Sequence, residues 1–241
     1  MKRYPVVILP GWMLGATRFE PLKKELSSRG YRTYVVDFPG FVEGERIIRP
    51  WTLGDYTQFL EAYLRRNHLK QAIFICHSFG GRVALKLLSE KPALAKALIL
   101  SGTPGFRSTH STRLFTIATI SKIGKAIMSL PPLSVFQDVA RKLFNILVGA
   151  RDISALKGFM RQTFINIVEE DLEGYMRKLS VPTLLLWGAR DSLVAPSIAR
   201  RMNETIGNST LTVVPEAYHN LVYREPKKFT HEIEKFLHHV E

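Results

Sequence analysis

Short apolar runs separated by amphipathic stretches are the feature of this sequence that most constrains its fold. Six runs are almost continuously apolar, at residues 6–9, 33–36, 73–76, 97–100, 183–187 and 211–214. Such runs are typical of strands that are buried on both faces. The stretches between them have helical periodicity, at residues 18–29, 53–67, 80–90, 196–206 and 226–240. The alternation predicts an α/β fold, with a mainly parallel six-stranded sheet and helices on both faces.

Residues 105–178 interrupt this alternation and contain no convincing strand. Apolar side chains recur there at helical spacing in three stripes, at residues 114–130, 136–146 and 153–167. We therefore predict an all-helical cap, inserted between the fourth and fifth strands. Residues 1–104 and 179–241 then form the α/β core. We expect the cap helices to contribute to the core on one side and to line an apolar pocket on the other.

The chain is basic, with a formal net charge of +13 that is unevenly distributed. Residues 1–104 contain 16 Lys and Arg against 8 acids, residues 105–178 contain 11 against 6, and residues 179–241 contain 7 against 7. This balance favours acidic partners such as nucleic acid, anionic lipid or an acidic carrier protein. The basic runs are short, however, as in Lys23-Lys24, and no nucleic-acid-binding module is present. We interpret the charge mainly as a solvated basic surface and expect no nucleic-acid binding.

Other classes of protein are excluded by what the sequence lacks. Cys76 is the only cysteine, so neither an internal disulfide nor a cysteine-rich zinc site is expected. The apolar residues between Pro5 and Pro10 are too few for a signal peptide. No apolar run of about 18 residues is present, so we expect no membrane span and a cytoplasmic protein. Phosphate-loop, dinucleotide-binding and zinc-helix motifs are also missing, and we expect no cofactor and no metal.

The third apolar run ends at a serine that is followed by glycines. Residues 73–81 read Ile-Phe-Ile-Cys-His-Ser-Phe-Gly-Gly, which predicts a strand, a tight turn at Ser78 and a helix. The nucleophile-elbow motif has glycine two residues before and two residues after such a serine. Gly80 fulfils the second position, whereas Cys76 occupies the first. Cysteine is small and apolar, so we expect neighbouring residues to make room for it and assign it no catalytic role.

A serine hydroxyl needs a base, and the base needs a group that orients it. Asp191 follows the fifth apolar run and His219 follows the sixth. The carboxyl ends of parallel strands meet at one edge of a sheet, so Ser78, Asp191 and His219 are candidates for a catalytic triad. Their order along the chain, serine, acid and then histidine, differs from the orders found in the chymotrypsin and subtilisin classes.

These residues give the chain a resemblance to α/β-hydrolases of the ester-hydrolysing, helical-cap type, including carrier-protein methyl ester esterases. The resemblance extends over nearly the full length. It rests on five segments, which are Leu9-Pro10-Gly11-Trp12, Asp37-Phe38-Pro39-Gly40, Cys76-His77-Ser78-Phe79-Gly80-Gly81, Gly188-Ala189-Arg190-Asp191, and His219 with Glu225-Pro226. Dehalogenases and epoxide hydrolases of this fold have an aspartate at the elbow, which Ser78 argues against. Residues 101–104 have no carboxylate, which leaves Asp191 as the acid.

The resemblance also implies an oxyanion hole, made by the backbone N–H groups of Trp12 and Phe79. Family members often have His-Gly where this chain has Pro10-Gly11. This difference leaves the donor intact, because the donor is the residue after the glycine. We interpret His77 as structural, with its side chain pointing away from the serine hydroxyl. Asp37 is interpreted as a residue that shapes the turn after the second strand.

We therefore expect a serine hydrolase that cleaves small or medium carboxylic acyl esters through an acyl-enzyme. The same triad also serves thioesterases, lactonases, C–C hydrolases and acyltransferases, and a slow-turnover receptor on a hydrolase scaffold is a further alternative. In a narrower version, an acidic carrier protein delivers the ester to four cations of the cap. These cations are Arg107, Arg113, Lys122 and Lys125.

Overall fold

Six parallel strands form a single sheet in the computed structural model, which describes residues 3–42, 44–107 and 158–240. The strands are β1 (Val6–Leu9), β2 (Thr33–Val35), β3 (Ala72–His77), β4 (Ala95–Ser101), β5 (Thr183–Gly188) and β6 (Ser209–Val214). Their order in the sheet is β2-β1-β3-β4-β5-β6. The predicted α/β fold is confirmed, and each apolar run lies in a strand, except that Val36 lies just beyond the end of β2.

The order of the strands reverses at β1, which lies between β2 and β3 and is parallel to both. Ligands of open α/β sheets bind at the carboxyl ends of the strands, at such a point of reversal. The central strands β3 and β5 are buried along their whole length, whereas the edge strands β2 and β6 are partly exposed. This explains why the central strands are continuously apolar.

Eight α-helices are present in the described part of the chain, and the last two follow β6. They are α1 (Glu20–Ser28), α2 (Leu53–Arg66), α3 (Phe79–Glu90), α4 (Phe159–Glu169), α5 (Glu173–Lys178), α6 (Pro196–Thr205), α7 (Leu221–Arg224) and α8 (Pro226–Leu237). Short 3-10 turns precede α1 and β4. The start of α2 is fixed by a capping box, in which Thr52 Oγ1 accepts from the Asp55 N–H and the Asp55 carboxylate accepts from the Thr52 N–H. The sequence did not predict α7.

Alternate residues of the inner strands face opposite layers of helices. On one face, Ile73 and Ile75 of β3 belong to an apolar cluster that also contains Leu22 of α1 and Phe229 of α8. On the other face of the sheet, α2 packs against α3, and α3 contacts β3. Helices therefore cover both faces, and the carboxyl edge of the sheet is formed by the loops that follow the strands.

The chain divides into two compact units. The first comprises residues 1–48, 52–106 and 171–241, and the second comprises residues 49–51 and 107–170. In the second unit, the Trp51 N–H donates to Thr163 Oγ1 (2.9 Å), and Asn166 Nδ2 donates to the Trp51 carbonyl (3.2 Å). Residues 49–51 therefore associate with α4. The predicted cap helices before residue 158 lie outside the described residues, and the predicted domain boundaries stay predictions.

Candidate functional site

Ser78 lies between the last residue of β3 and the first residue of α3. Its backbone has φ +48° and ψ −111°, a conformation that non-glycine residues rarely adopt. The Ser78 N–H donates to the Ser101 carbonyl at the end of β4 (2.9 Å), and the Ser78 carbonyl accepts from the Gly81 N–H (3.1 Å). The turn is therefore strained but firmly held. A strained strand-to-helix turn of this kind exposes the serine hydroxyl above the sheet.

The two glycines after Ser78 are required by close contacts. A Cβ atom at Gly80 would lie 2.3 Å from the Leu9 carbonyl oxygen, and one at Gly81 would lie 2.0 Å from Thr103 Oγ1. Cys76, in contrast, fits within the buried strand between Leu9 and Leu100 of the neighbouring strands. Burial raises the pKa of its thiol. The missing first glycine of the motif is therefore accommodated by packing below the turn.

Asp191, in the loop after β5, is a buried carboxylate whose two oxygens both accept hydrogen bonds. Oδ1 accepts from the N–H groups of Leu193 (2.9 Å) and Val194 (2.8 Å), and Oδ2 lies 2.8 Å from His219 Nδ1. The carboxylate accepts, so Nδ1 of His219 carries the proton. Only 1% of the Asp191 side chain is exposed. A buried charge is costly unless it is hydrogen-bonded, and this one has three donors.

His219 lies in the loop after β6, and its side chain is 16% exposed. The loop approaches β5 closely, because a Cβ atom at Gly188 would lie 2.4 Å from the Ala217 carbonyl oxygen. The Arg190 N–H also donates to that carbonyl (2.8 Å). The loops that contain the acid and the histidine are thus joined by backbone contacts as well as by the hydrogen bond between the two side chains.

The end of β4 brings Ser78 and His219 into one neighbourhood. Ser101 accepts the Ser78 N–H, and the next residue, Gly102, has φ +61° and lies against the imidazole. A Cβ atom at Gly102 would lie 2.6 Å from His219 Cε1 and 3.4 Å from Asp191 Oδ2. Within the described residues, Ser78 Oγ makes no hydrogen bond with His219. The sequence did not predict that Gly102 lies against His219. Its position directly after the fourth apolar run is the signal that could have indicated it.

Trp12 and Phe79 lie together next to the serine. Their rings are 5.6 Å apart in an edge-to-face arrangement, and both pack on Phe41 (5.0 and 5.1 Å). Phe38 and Tyr56 extend this cluster around the Phe79 ring (5.3 and 5.0 Å). The Phe79 N–H is among the first of α3, which have no acceptor inside the helix. The aromatic cluster thus holds the loop after β1 beside the start of α3.

His77, which the sequence analysis interpreted as structural, lies against His219. The two ring centroids are 4.7 Å apart, and His77 is 2% exposed. Nδ1 of His77 lies 3.3 Å from the Ser101 carbonyl oxygen. Burial, and to a smaller extent the nearby His219, lower the pKa of His77 to about 3, so the ring is neutral at physiological pH. No pattern in the sequence indicates this contact, because the contact depends on how the loop after β6 packs against the end of β3.

The other candidate residues predicted from the sequence make different contacts in the structure or lie outside the described residues. Asp37 Oδ1 accepts from the Ala16 N–H (2.9 Å), which links the turn after β2 to the loop after β1. Arg107 is exposed, whereas Arg113, Lys122 and Lys125 lie outside the described residues. Across residues 3–42, 44–107 and 158–240, no group of three or more His, Cys, Asp or Glu side chains is arranged to hold a metal ion. None of the helices described is long and apolar enough to cross a membrane.

Comparison with known proteins identifies the family. A family model described as serine aminopeptidase, S33, matches residues 2–227. The AB hydrolase superfamily protein YisY of Bacillus subtilis is 25% identical in an alignment that covers 96% of this chain and 91% of that protein. The pimeloyl-[acyl-carrier protein] methyl ester esterase of Pectobacterium atrosepticum is 24% identical over 243 residues, which cover 96% and 93%.

A solved structure shows the same fold. An esterase from Exiguobacterium antarcticum matches with a TM-score of 0.74 at 24% identity, over 98% of this chain and 92% of that one. This likeness confirms the α/β-hydrolase fold expected from the sequence. Since the family model spans almost the entire sequence, the chain belongs to the serine aminopeptidase S33 family of α/β hydrolases and is a hydrolase.

Proposed function

We propose that the protein is a serine hydrolase that cleaves carboxylic esters, with Ser78 as nucleophile, His219 as general base and Asp191 as the group that orients the base. The observation that carries this proposal is the 2.8 Å hydrogen bond between His219 Nδ1 and the buried Asp191 carboxylate. This hydrogen bond keeps the proton of the neutral imidazole on Nδ1, so that Nε2 can accept a proton. The strained turn at Ser78 also supports the proposal. Its N–H donates to Ser101 at the end of β4, and the next residue, Gly102, lies against His219.

The reaction follows from these assignments. Ser78 Oγ attacks the acyl carbonyl while its proton moves to His219 Nε2, which gives a tetrahedral intermediate and an imidazolium that Asp191 stabilises. The C–O bond to the alcohol then breaks, and the alcohol leaves with the proton from Nε2. A water molecule attacks the acyl-enzyme and gives its proton to Nε2, and the acid product leaves as Ser78 regains a proton. We expect the Ser78–His219 hydrogen bond to form when substrate binds, since such bonds are often long without substrate.

The backbone N–H groups of Trp12 and Phe79 are proposed to bind the negative oxygen of each tetrahedral intermediate. The edge-to-face contact between the two side chains supports this role, since it keeps the two backbone segments beside each other. Fixed donors of this type stabilise charge that develops only in the transition state, and loss of one typically costs about 100- to 1000-fold in rate.

Substitution Ser78→Ala tests the proposal. We expect kcat on short activated esters to fall by about 10⁴- to 10⁶-fold, because the nucleophile is removed. A matched control is Ser89→Ala in the same helix, where the hydroxyl only donates to the Lys86 carbonyl, and which should retain full activity. A fluorophosphonate probe should label the wild-type protein on Ser78. Unchanged ester hydrolysis in Ser78→Ala would refute the proposal.

We propose that the substrates are small or medium acyl esters. Thioesters, lactones, C–C bonds next to a ketone, acyl transfer to an alcohol and slow-turnover ligand binding use the same residues. A panel of esters and thioesters of increasing acyl length, assayed with and without an alcohol acceptor, separates these alternatives. Hydrolysis of oxygen esters in preference to the other substrates supports the proposal.

A narrower proposal is that an acidic carrier protein delivers the ester. The net charge of +13 supports it, as do curated relatives named pimeloyl-[acyl-carrier protein] methyl ester esterase. Salt screens charge attraction over about 10 Å at 0.1 M. We therefore expect kcat/KM for a carrier-linked methyl ester to fall steeply as salt rises, while that for the free methyl ester stays constant. Equal salt dependence for both substrates would contradict delivery by a carrier.

A further inference from the structure

His77 contacts parts of the proposed active site that approach it from different strands. Its ring lies 4.7 Å from the His219 ring, at an interplanar angle of 53°. A Cβ atom at Gly11 would lie 2.9 Å from His77 Cδ2, so the loop that precedes Trp12 packs on the same ring. Nδ1 of His77 shares the Ser101 carbonyl with the Ser78 N–H, at 3.3 and 2.9 Å. The buried His77 ring thus contacts His219, the loop before Trp12, and the Ser101 carbonyl that accepts the Ser78 N–H.

The hydrogen bond to Asp191 does not by itself fix the orientation of His219. It holds Nδ1 in place but leaves the ring free to swing about that atom, which moves Nε2 toward or away from Ser78. Gly102 and His77 both lie against the ring and limit this swing. His77 is itself immobilised by rings packed around it, those of Phe19 (6.3 Å) and Tyr223 (5.6 Å).

The ring must also be uncharged, because His219 becomes a cation during the reaction and two cations this close repel strongly. Burial and the proximity of His219 keep His77 neutral, while the Ser101 carbonyl and Asp191 act in the opposite direction with smaller effect. Among the described residues, the Tyr223 hydroxyphenyl also faces the ring, and the Arg18 guanidinium lies over the Tyr223 ring at 5.7 Å. Since the Ser101 carbonyl only accepts, the proton of neutral His77 is on Nδ1.

We propose that His77 is a positioning residue, whose neutral ring packs against His219 and holds Nε2 in line with the Ser78 hydroxyl. This inference rests on the proposed function, since it assigns His219 as the base. It differs from a role in folding alone, because it requires a flat, uncharged ring at this position. Phenylalanine meets that requirement and alanine does not.

Steady-state kinetics of His77→Ala and His77→Phe test the inference. We expect His77→Ala to lower kcat by about 10- to 100-fold, as expected for a reacting group displaced by about 1 Å. KM should stay nearly constant, because the ground-state contacts with substrate are unchanged. His77→Phe should restore most of kcat. Phe229→Leu, in the apolar core at α8, is the matched control, which should lose stability while kcat is unchanged.

Long-range ¹H–¹⁵N spectra of the imidazoles supply a readout that does not depend on turnover. We expect His77 to remain in the neutral Nδ1–H form from pH 8 to pH 5. Titration of His77 above pH 5, an Nε2–H tautomer, or an unchanged kcat in His77→Ala would overturn the inference. If Ser78→Ala abolishes hydrolysis while His77→Ala does not affect it, only the inference fails. Hydrolysis that persists in Ser78→Ala refutes the proposed function as well.

Discussion

The two edges of the sheet differ in the burial of their charged side chains and in the contacts around their backbone. At the amino edge lies a cleft of about 910 Å³, whose walls include Arg3, Arg29, Arg32 and Lys70. The side chains of Arg3, Arg32 and Lys70 are exposed, and Arg29 is paired with carboxylates. At the carboxyl edge, in contrast, Asp191 is buried. The buried carboxylate and the strained turn next to it mark the candidate site more clearly than the large cleft does.

The backbone shows the same contrast. Positive φ at the carboxyl edge occurs at Ser78, where it is unfavourable for a side chain, and at Gly102, where any side chain would collide with His219. At the amino edge, positive φ occurs at Gly30, around which a Cβ atom would find open space, and at His68, whose side chain is exposed. Strain that is retained where surrounding contacts enforce it suggests function. We therefore expect substitutions at the carboxyl edge to affect activity far more than substitutions at the amino edge.

The largest effect that tests this contrast, after that of Ser78→Ala, is expected for Asp191→Asn. The asparagine oxygen can still accept from the N–H groups of Leu193 and Val194, which turns its NH₂ group toward His219. His219 Nδ1 must then accept, so its proton moves to Nε2, which can no longer take the proton of Ser78. We expect kcat to fall by about 10⁴-fold, as when the tautomer is wrong in other triads.

Thermal unfolding provides the control for Asp191→Asn, because the variant retains the backbone hydrogen bonds of the loop. A small change in Tm together with the large loss of kcat would assign the effect to the tautomer. A loss of less than tenfold in kcat would show that Asp191 does not orient the base.

The next effect is a pH dependence of stability that originates at the carboxyl edge. The pKa of His77 is about 3 in the folded protein and has an ordinary value of 6.5. Between these values the unfolded chain binds a proton that the folded protein does not, so stability falls as the pH is lowered through this range. From pH 7 to pH 5, His77 should cost about 2 kcal/mol of unfolding free energy.

Denaturant unfolding of the wild type and of His77→Phe at both pH values measures this contribution. Phenylalanine cannot titrate, so the variant should lose about 2 kcal/mol less than the wild type between pH 7 and pH 5. Contributions from the carboxylates are common to both proteins and cancel in the difference. Equal losses would mean that His77 takes up a proton in the folded state.

The fold could be predicted from the sequence because strands and helices are indicated by residues that are close together in the chain. Continuous apolar runs reveal buried strands, and the residue after each run lies at the carboxyl edge when the sheet is parallel. That reasoning led to Asp191 and His219, which the structure brings within hydrogen-bonding distance. Their catalytic roles, with that of Ser78, stay proposals.

The remaining features depend on how separate segments meet. The contact between His77 and His219 requires the β6 loop to return over β3, and the association of Trp51 with α4 joins residues more than 100 positions apart. No periodicity in the sequence encodes such contacts. Helix α7 was missed because its four residues, Leu221–Arg224, are too few to show a helical pattern.

The smallest effect is expected at the amino edge, for Arg29→Ala. The Arg29 guanidinium pairs with Glu25 at 2.8 Å and with Glu234, and its side chain is 31% exposed. Ion pairs in contact with water contribute little, so we expect a loss of about 0.5–1 kcal/mol in unfolding free energy and no change in kcat. Denaturant unfolding and ester kinetics on the same sample measure both quantities. Since Arg29 lines the amino-edge cleft, a loss of kcat beyond the loss of folded protein would show that this edge also contributes to the reaction, and the contrast between the edges would fail.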